Sequence, residues 1–158
     1  MKHIVGVAEM KISTQPGDVI VTHALGSCLG ISIYDPEVCV GGIFHVMLPS
    51  GSTSPDKARE NPFMFVDTGT PLFFRRAYEA GAVKKRLVVK VAGGAAFRGD
   101  DDFFAIGKRN YIMLRKLLWK NGIMIAKQDI GGRASRTMYL DISSGRTWLS
   151  SNGREWEL

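Results

Sequence analysis

Cysteine is scarce in this chain: there are only two, Cys28 and Cys39, both in the first third. That scarcity excludes a small fold stapled by several disulfides, and a domain of 158 residues can bury enough apolar surface to do without them. No apolar run approaches the roughly 18 residues a membrane-spanning helix needs. The opening MKHIVGVAEM has neither the long apolar stretch nor the small-residue cleavage site of a signal peptide. A soluble, cytoplasmic protein with no direct membrane insertion is therefore expected. Internal repeats and heptads are missing too, so the expectation is a single domain over residues 1–158 that acts as a monomer. Closely spaced ligand pairs such as CxxC or HxxxH do not occur, which argues against a metal site. The glycine pairs at 41, 93 and 131 form neither GxGxxG nor a phosphate-binding loop, so no nucleotide cofactor is expected.

What is present in excess is positive charge. Lys plus Arg number 21 against 15 Asp plus Glu, a formal charge of +6, which favours an acidic or polyanionic partner. The basic residues are dispersed, with the densest groups at Lys84, Lys85, Arg86 and between Lys108 and Lys120. They lack the interleaved aromatics of a strand-binding platform, so nucleic acid is not the expected partner. An acidic protein surface satisfies the same charge.

The pattern of the first third is mostly strand: His3 to Ala8, Val19 to His23, Leu29 to Tyr34 and Val38 to Met47 are rich in Val and Ile and separated by Gly, Pro and Asp. Residues 49 to 62 (PSGSTSPDKARENP) read as one long surface loop. A helix is predicted over Thr68 to Ala80, capped by Asp67 or Thr68, with Pro71 in its first turn and Gly81 at its exit. Leu87 to Ala92 has a buried-strand pattern ending in Gly93-Gly94. Ile106 to Lys120 forms a second helix with Tyr111, Leu114, Leu117 and Leu118 as its apolar stripe. Three strands follow, Met124 to Ile130, Thr137 to Ile142 and Thr147 to Ser150. Strand-rich halves around two main helices predict a layered α/β or α+β fold in which helices cover only part of the sheet surface.

The segment that can carry chemistry is THALGSCLGISIYDP followed by GGIFHVMLP. Cys28 lies between Gly26 and Gly30 at a strand end, and His45 follows it by seventeen residues on a nearby strand. A nucleophilic thiol needs such a base, and the Thr22 hydroxyl can fix the tautomer of the imidazole through its second ring nitrogen. The residues alone leave a second reading open. Unpaired cysteine is among the most buried residue types, and a lone histidine in an apolar strand is often a satisfied core residue. Cys39, among valines in VCVGG, reads as packing; His3 and His23 read as structural or surface residues.

These two segments, with KVAGGAAF, IGKRN and DIGGRASR, follow in the order of the motifs of CheD, and the chain resembles that family of chemoreceptor glutamine deamidases over nearly its whole length. The resemblance implies a three-layer α/β/β sandwich like the catalytic domain of the cytotoxic necrotising factor toxins. It implies a hydrolase that turns glutamine side chains of methyl-accepting chemotaxis receptors into glutamate, with Cys28 as nucleophile, His45 as general base and Thr22 orienting His45. It requires no cofactor, and it brings in the CheC phosphatase as a further partner of some members. A mainly adaptor role, binding receptor or CheC with weak catalysis, is the alternative it allows. The Ser27 hydroxyl is a candidate oxyanion or substrate contact, or a cap for its own turn. Lys108 in IGKRN and Ala134-Ser135 before Arg136 depart from the usual family residues and bear on partner contacts rather than on the triad.

Overall fold

The computed structural model describes residues 1–96 and 105–158; Phe97, the last residue of KVAGGAAF, lies outside them. Ten strands are formed by the described residues: β1 (Lys2–Val5), β2 (Glu9–Ser13), β3 (Val19–Leu25), β4 (Leu29–Asp35), β5 (Val40–Val46), β6 (Val88–Gly93), β7 (Ile125–Ile130), β8 (Arg136–Asp141), β9 (Thr147–Ser151) and β10 (Arg154–Glu157). Three α-helices accompany them, α1 (Pro55–Glu60), α2 (Val66–Glu79) and α3 (Ile106–Lys120). The strands make two five-stranded sheets, an outer one in the order β1-β3-β8-β9-β10 and a middle one in the order β2-β5-β4-β6-β7. Pairing is antiparallel except for β1 with β3 and β6 with β7.

The layering follows from the alternation of side chains along β4 and β5, which are buried throughout because both faces of the middle sheet are covered. On one face Leu29, Ile31, Ile33, Phe44 and Val46 pack with Phe73 and Ala77 of α2 and with Leu114 and Leu118 of α3. On the other face Tyr34, Ile43 and Ala92 pack with Ile20, Leu25, Met138, Leu140 and Leu149 of the outer sheet. Two hydrophobic cores separated by one sheet make a layered α+β fold, as the strand and helix pattern predicts, in the α/β/β arrangement that the resemblance implies.

Several boundaries differ from expectation. The predicted strand His3 to Ala8 ends at Val5 as β1, and the unpredicted β2 (Glu9–Ser13) follows in the other sheet. Gly6 and the left-handed Ala8 (φ 60°) turn the chain, and β2 then pairs with β5. The 49–62 segment is not an unstructured loop. Pro55 starts α1, the Ser50 hydroxyl and the Gly51 N–H donate to Asp67, and the Asn61 side chain donates to the Ala8 carbonyl. Asp67 is thus committed to this segment and does not cap α2, which begins at Val66 and holds Pro71 in its interior rather than its first turn. The predicted strands end at Ser150, and the chain forms a further one, β10.

Candidate active site

Thr22 and His45 meet where the middle and outer sheets face each other. His45 on β5 pairs across the ladder with Gly30 of β4, so its side chain and that of Cys28, two residues before Gly30, belong to the face turned toward the outer sheet. Cys28 packs, half-buried, against the core between the sheets. Thr22 projects from β3 of the opposite sheet and is fully buried, as is His45.

One hydroxyl organises the imidazole. Thr22 Oγ1 donates to the Val5 carbonyl at 2.7 Å and lies 2.7 Å from His45 Nδ1. A hydroxyl has one hydrogen, and a carbonyl can only accept; the Thr22 oxygen is therefore the acceptor from Nδ1–H. That fixes the tautomer and leaves the lone pair on Nε2, which is buried and without a hydrogen-bond partner among the described residues. Burial lowers the His45 pKa to about 4, so the ring is neutral at neutral pH. Burial also pushes the Cys28 thiol up, an effect partly offset by its own backbone N–H. The resting pair is a neutral thiol and a neutral imidazole. No hydrogen bond joins Cys28 Sγ to His45 Nε2 among the described residues.

The turn that carries Cys28 is held by its carbonyls. Beyond Thr22, β3 gains a residue against β8, Thr22 facing Met138 and Leu25 facing Arg136, with Ala24 left-handed at φ 59°. This bulge swings the chain out of the sheet into Gly26-Ser27-Cys28. The Gly26 carbonyl accepts from Ala95 N–H at 2.8 Å, and the Cys28 carbonyl accepts from Gly94 N–H at 2.9 Å. Asn110 Nδ2 reaches the Ser27 carbonyl at 3.1 Å and the Met47 carbonyl at 3.1 Å. Because trans peptides are planar, the Gly26 carbonyl anchored toward Ala95 and the Ser27 carbonyl anchored toward Asn110 turn the N–H groups of Ser27 and Cys28 the opposite way.

Gly93 is required there. At φ 108° a Cβ would stand 2.2 Å from the Cys28 carbonyl oxygen. The Gly93 carbonyl accepts from Gly131 N–H at 2.9 Å, and the DIGGRASR motif braces this corner. Arg136 Nε donates to Asp129 at 3.0 Å, and its terminal nitrogens donate to the carbonyls of Gly131 and Gly93.

The structure brings Thr22 and His45 into contact, and it puts Cys28 on the inter-sheet side of the middle sheet that His45 shares, with Ser27 in the turn just before it. It leaves Cys39, His3 and His23 elsewhere. Cys39 packs on the inter-sheet core in a left-handed turn, His3 Nε2 bonds Asp18 at 2.8 Å, and His23 is exposed. Among the described residues no three His, Cys, Asp or Glu side chains come together to hold a metal, and no helix is long and apolar enough to cross a membrane. Sequence reasoning missed Asn110. The motif IGKRN contains it, but a polar residue in a helix carries no signal that it reaches a strand end 83 positions earlier.

The profile described as CheD chemotactic sensory transduction matches residues 47–151, from two residues past His45 onward. The chain is 49% identical over 155 residues to the probable chemoreceptor glutamine deamidase CheD of Solibacter usitatus, covering 98% of this chain and 92% of that one. It is 47% identical to the probable chemoreceptor glutamine deamidase CheD 1 of Syntrophus aciditrophicus, covering 95% and 94%. It is also 41% identical to the probable chemoreceptor glutamine deamidase CheD 2 of Anaeromyxobacter dehalogenans, covering 93% and 92%.

Proposed function

The chain belongs to the CheD family, and from that premise we propose that it deamidates glutamine side chains of chemoreceptors through a thioester on Cys28. The observation that carries the reading is the Thr22–His45 pair. A fully buried imidazole has its Nδ1 proton committed to a hydroxyl, and its Nε2 is left open on the face it shares with a cysteine.

His45 Nε2 takes the Cys28 thiol proton as the sulfur attacks the glutamine carboxamide carbon, so no free thiolate has to persist in the half-buried turn. The hydrogen bond between the two groups, not made in the free protein, forms when substrate enters, as catalytic contacts tighten in the bound complex. A carbon–sulfur bond forms and the carbonyl electrons move onto oxygen. The N–H groups of Ser27 and Cys28, aimed away from the anchored carbonyls, are the donors for that oxyanion, and the Ser27 hydroxyl is a further contact for the carboxamide. Collapse of the intermediate breaks the carbon–nitrogen bond, and ammonia leaves with the proton that His45 holds. Water then attacks the thioester, gives its proton to Nε2, and releases glutamate while the thiol is restored. Every step uses groups of this chain, and none calls for a metal or an organic cofactor.

The encounter with receptor has electrostatic support. Within α3, Lys108, Arg109, Arg115, Lys116 and Lys120 face no acidic residue of the same helix, and such a surface speeds association with an acidic helical partner. The same reading has the single domain work in the cytoplasm, as a monomer, with a CheC-type phosphatase as a regulatory partner. Size-exclusion chromatography and a pull-down with purified CheC check the last two. The function itself is tested by incubating a receptor cytoplasmic fragment with the protein or with its Cys28→Ala variant and measuring ammonia and new glutamate. Both should form only with the unsubstituted protein. Normal receptor binding without new glutamate would overturn the reading and favour an adaptor.

A further inference from the structure

Asn110 is fully buried, and its two amide hydrogens are both used: Nδ2 lies 3.1 Å from the Ser27 carbonyl and 3.1 Å from the Met47 carbonyl. Ser27 immediately precedes Cys28, and Met47 is two residues past His45. One carboxamide nitrogen therefore ties the nucleophile's turn to the end of the strand that carries the base. The start of α3 is brought close enough for this by a glycine contact. A Cβ on Gly107 would stand 2.5 Å from the backbone of Gly94, whose own N–H holds the Cys28 carbonyl. Oδ1 of Asn110 is buried without a partner among the described residues. Packing alone would be better served by leucine, which fills similar space and buries no orphaned acceptor. What leucine cannot do is donate to two carbonyls at once.

We propose that Asn110 is a positioning residue of this site, whose carboxamide clamps the Ser27 and Met47 carbonyls and thereby sets the separation of Cys28 Sγ from His45 Nε2. The proposal rests on the deamidase reading of those two residues. It requires no contact between Asn110 and substrate. Asn110→Asp keeps the shape but has no N–H to donate, and it sets a carboxylate against two carbonyl oxygens. The turn is released from α3, and the thiol moves away from the base and toward solvent.

The test measures kcat and KM on a receptor cytoplasmic fragment for the unsubstituted protein, Asn110→Asp and Asn110→Ala. It also measures the rate at which iodoacetamide alkylates Cys28, followed by peptide mass spectrometry so that Cys39 is read separately. Leu118→Ala, which opens the helix–sheet core at the far end of α3, controls for general loosening. Misplacing reacting groups by about 1 Å costs on the order of a hundredfold, so kcat should fall about 10- to 100-fold in both Asn110 variants while KM stays within about twofold. Cys28 alkylation should rise several-fold at the same pH. Leu118→Ala should keep both values near those of the unsubstituted protein. Unchanged kcat and alkylation in the Asn110 variants, or equal changes in Leu118→Ala, would overturn the proposal. If the unsubstituted protein made no glutamate, the functional reading alone would fall, and the alkylation rates would still decide whether Asn110 holds the Cys28 turn.

Discussion

Replacing Thr22 by valine removes one oxygen from the centre of the site at almost constant shape. The Thr22 hydroxyl stands 2.7 Å from both the Val5 carbonyl and His45 Nδ1, and both residues are buried. In Thr22→Val the Nδ1–H loses its acceptor where no water replaces it, at about 1–3 kcal/mol for an orphaned buried polar group. The imidazole can escape that cost by carrying its proton on Nε2 instead. That tautomer cannot accept the thiol proton, so the cost appears in the reaction whichever way the ring responds. Converted at about 1.4 kcal/mol per tenfold, kcat should fall about 5- to 150-fold. KM for receptor should not change, because Thr22 lies beneath the imidazole and not against substrate. Thr22→Ser restores the oxygen and should recover most of the rate. The assay is single-turnover conversion of receptor glutamine to glutamate, with the denaturant midpoint of each variant measured alongside. A valine variant within twofold of the unsubstituted kcat would refute the tautomer argument, and so would a serine variant as slow as valine.

The depressed His45 pKa makes a second prediction in two assays. Its folded value of about 4 lies below the ordinary 6.5, so the stability that neutral, buried His45 contributes is complete above 6.5 and is lost as pH falls from there toward 4. A depression of that size is worth about 3 kcal/mol in urea unfolding between the two ends, and His45→Ala should flatten that part of the curve. For the same reason the acid limb of kcat/KM should lie near 4, and a limb near 6.5 would contradict the neutral-imidazole description. Gly93→Ala forces a Cβ to within 2.2 Å of the Cys28 carbonyl at φ 108°, so it should cost about 2–4 kcal/mol of stability and most of the activity. The denaturant midpoint and the deamidation rate check both. Cys28→Ala should abolish deamidation and shift stability by less than about 1.5 kcal/mol, since the side chain is only half-buried.

Some of this molecule was legible in its residues and some was not, and the division has physical causes. Helix α3 begins and ends as its apolar spacing and the Asn121-Gly122 stop predict. The layered fold follows from buried strands alternating with only two long helices. Strand β10 was legible but unread. Asn152-Gly153, both left-handed at φ 51° and 76°, is the two-residue turn that joins β9 to β10, and this dipeptide is a strong hairpin signal. The split between β1 and β2 was harder, because it depends on Ala8 adopting a left-handed backbone that no property of alanine foretells. Cys28 and His45 could be picked out from glycine flanks and a histidine in an apolar strand. Their relation to Thr22 could be suspected from the strand-end position, but the contact itself is made between two different sheets, and stacking is invisible to spacing. Asn110 lies further still from recognition. Its role depends on where α3 docks, which Gly94 and Gly107 decide by close approach.

The central claim is that Cys28 forms a covalent acyl bond with the receptor glutamine under the control of His45. Hydroxylamine tests it most directly, because it competes with water for a thioester and leaves a hydroxamate where the glutamine stood. A receptor cytoplasmic fragment incubated with the protein and hydroxylamine is digested and its glutamine-containing peptides are weighed. The account predicts γ-glutamyl hydroxamate with the unsubstituted protein and none with Cys28→Ala or His45→Ala. Glutamate formed without hydroxamate at saturating hydroxylamine, or hydroxamate formed by Cys28→Ala, would contradict it.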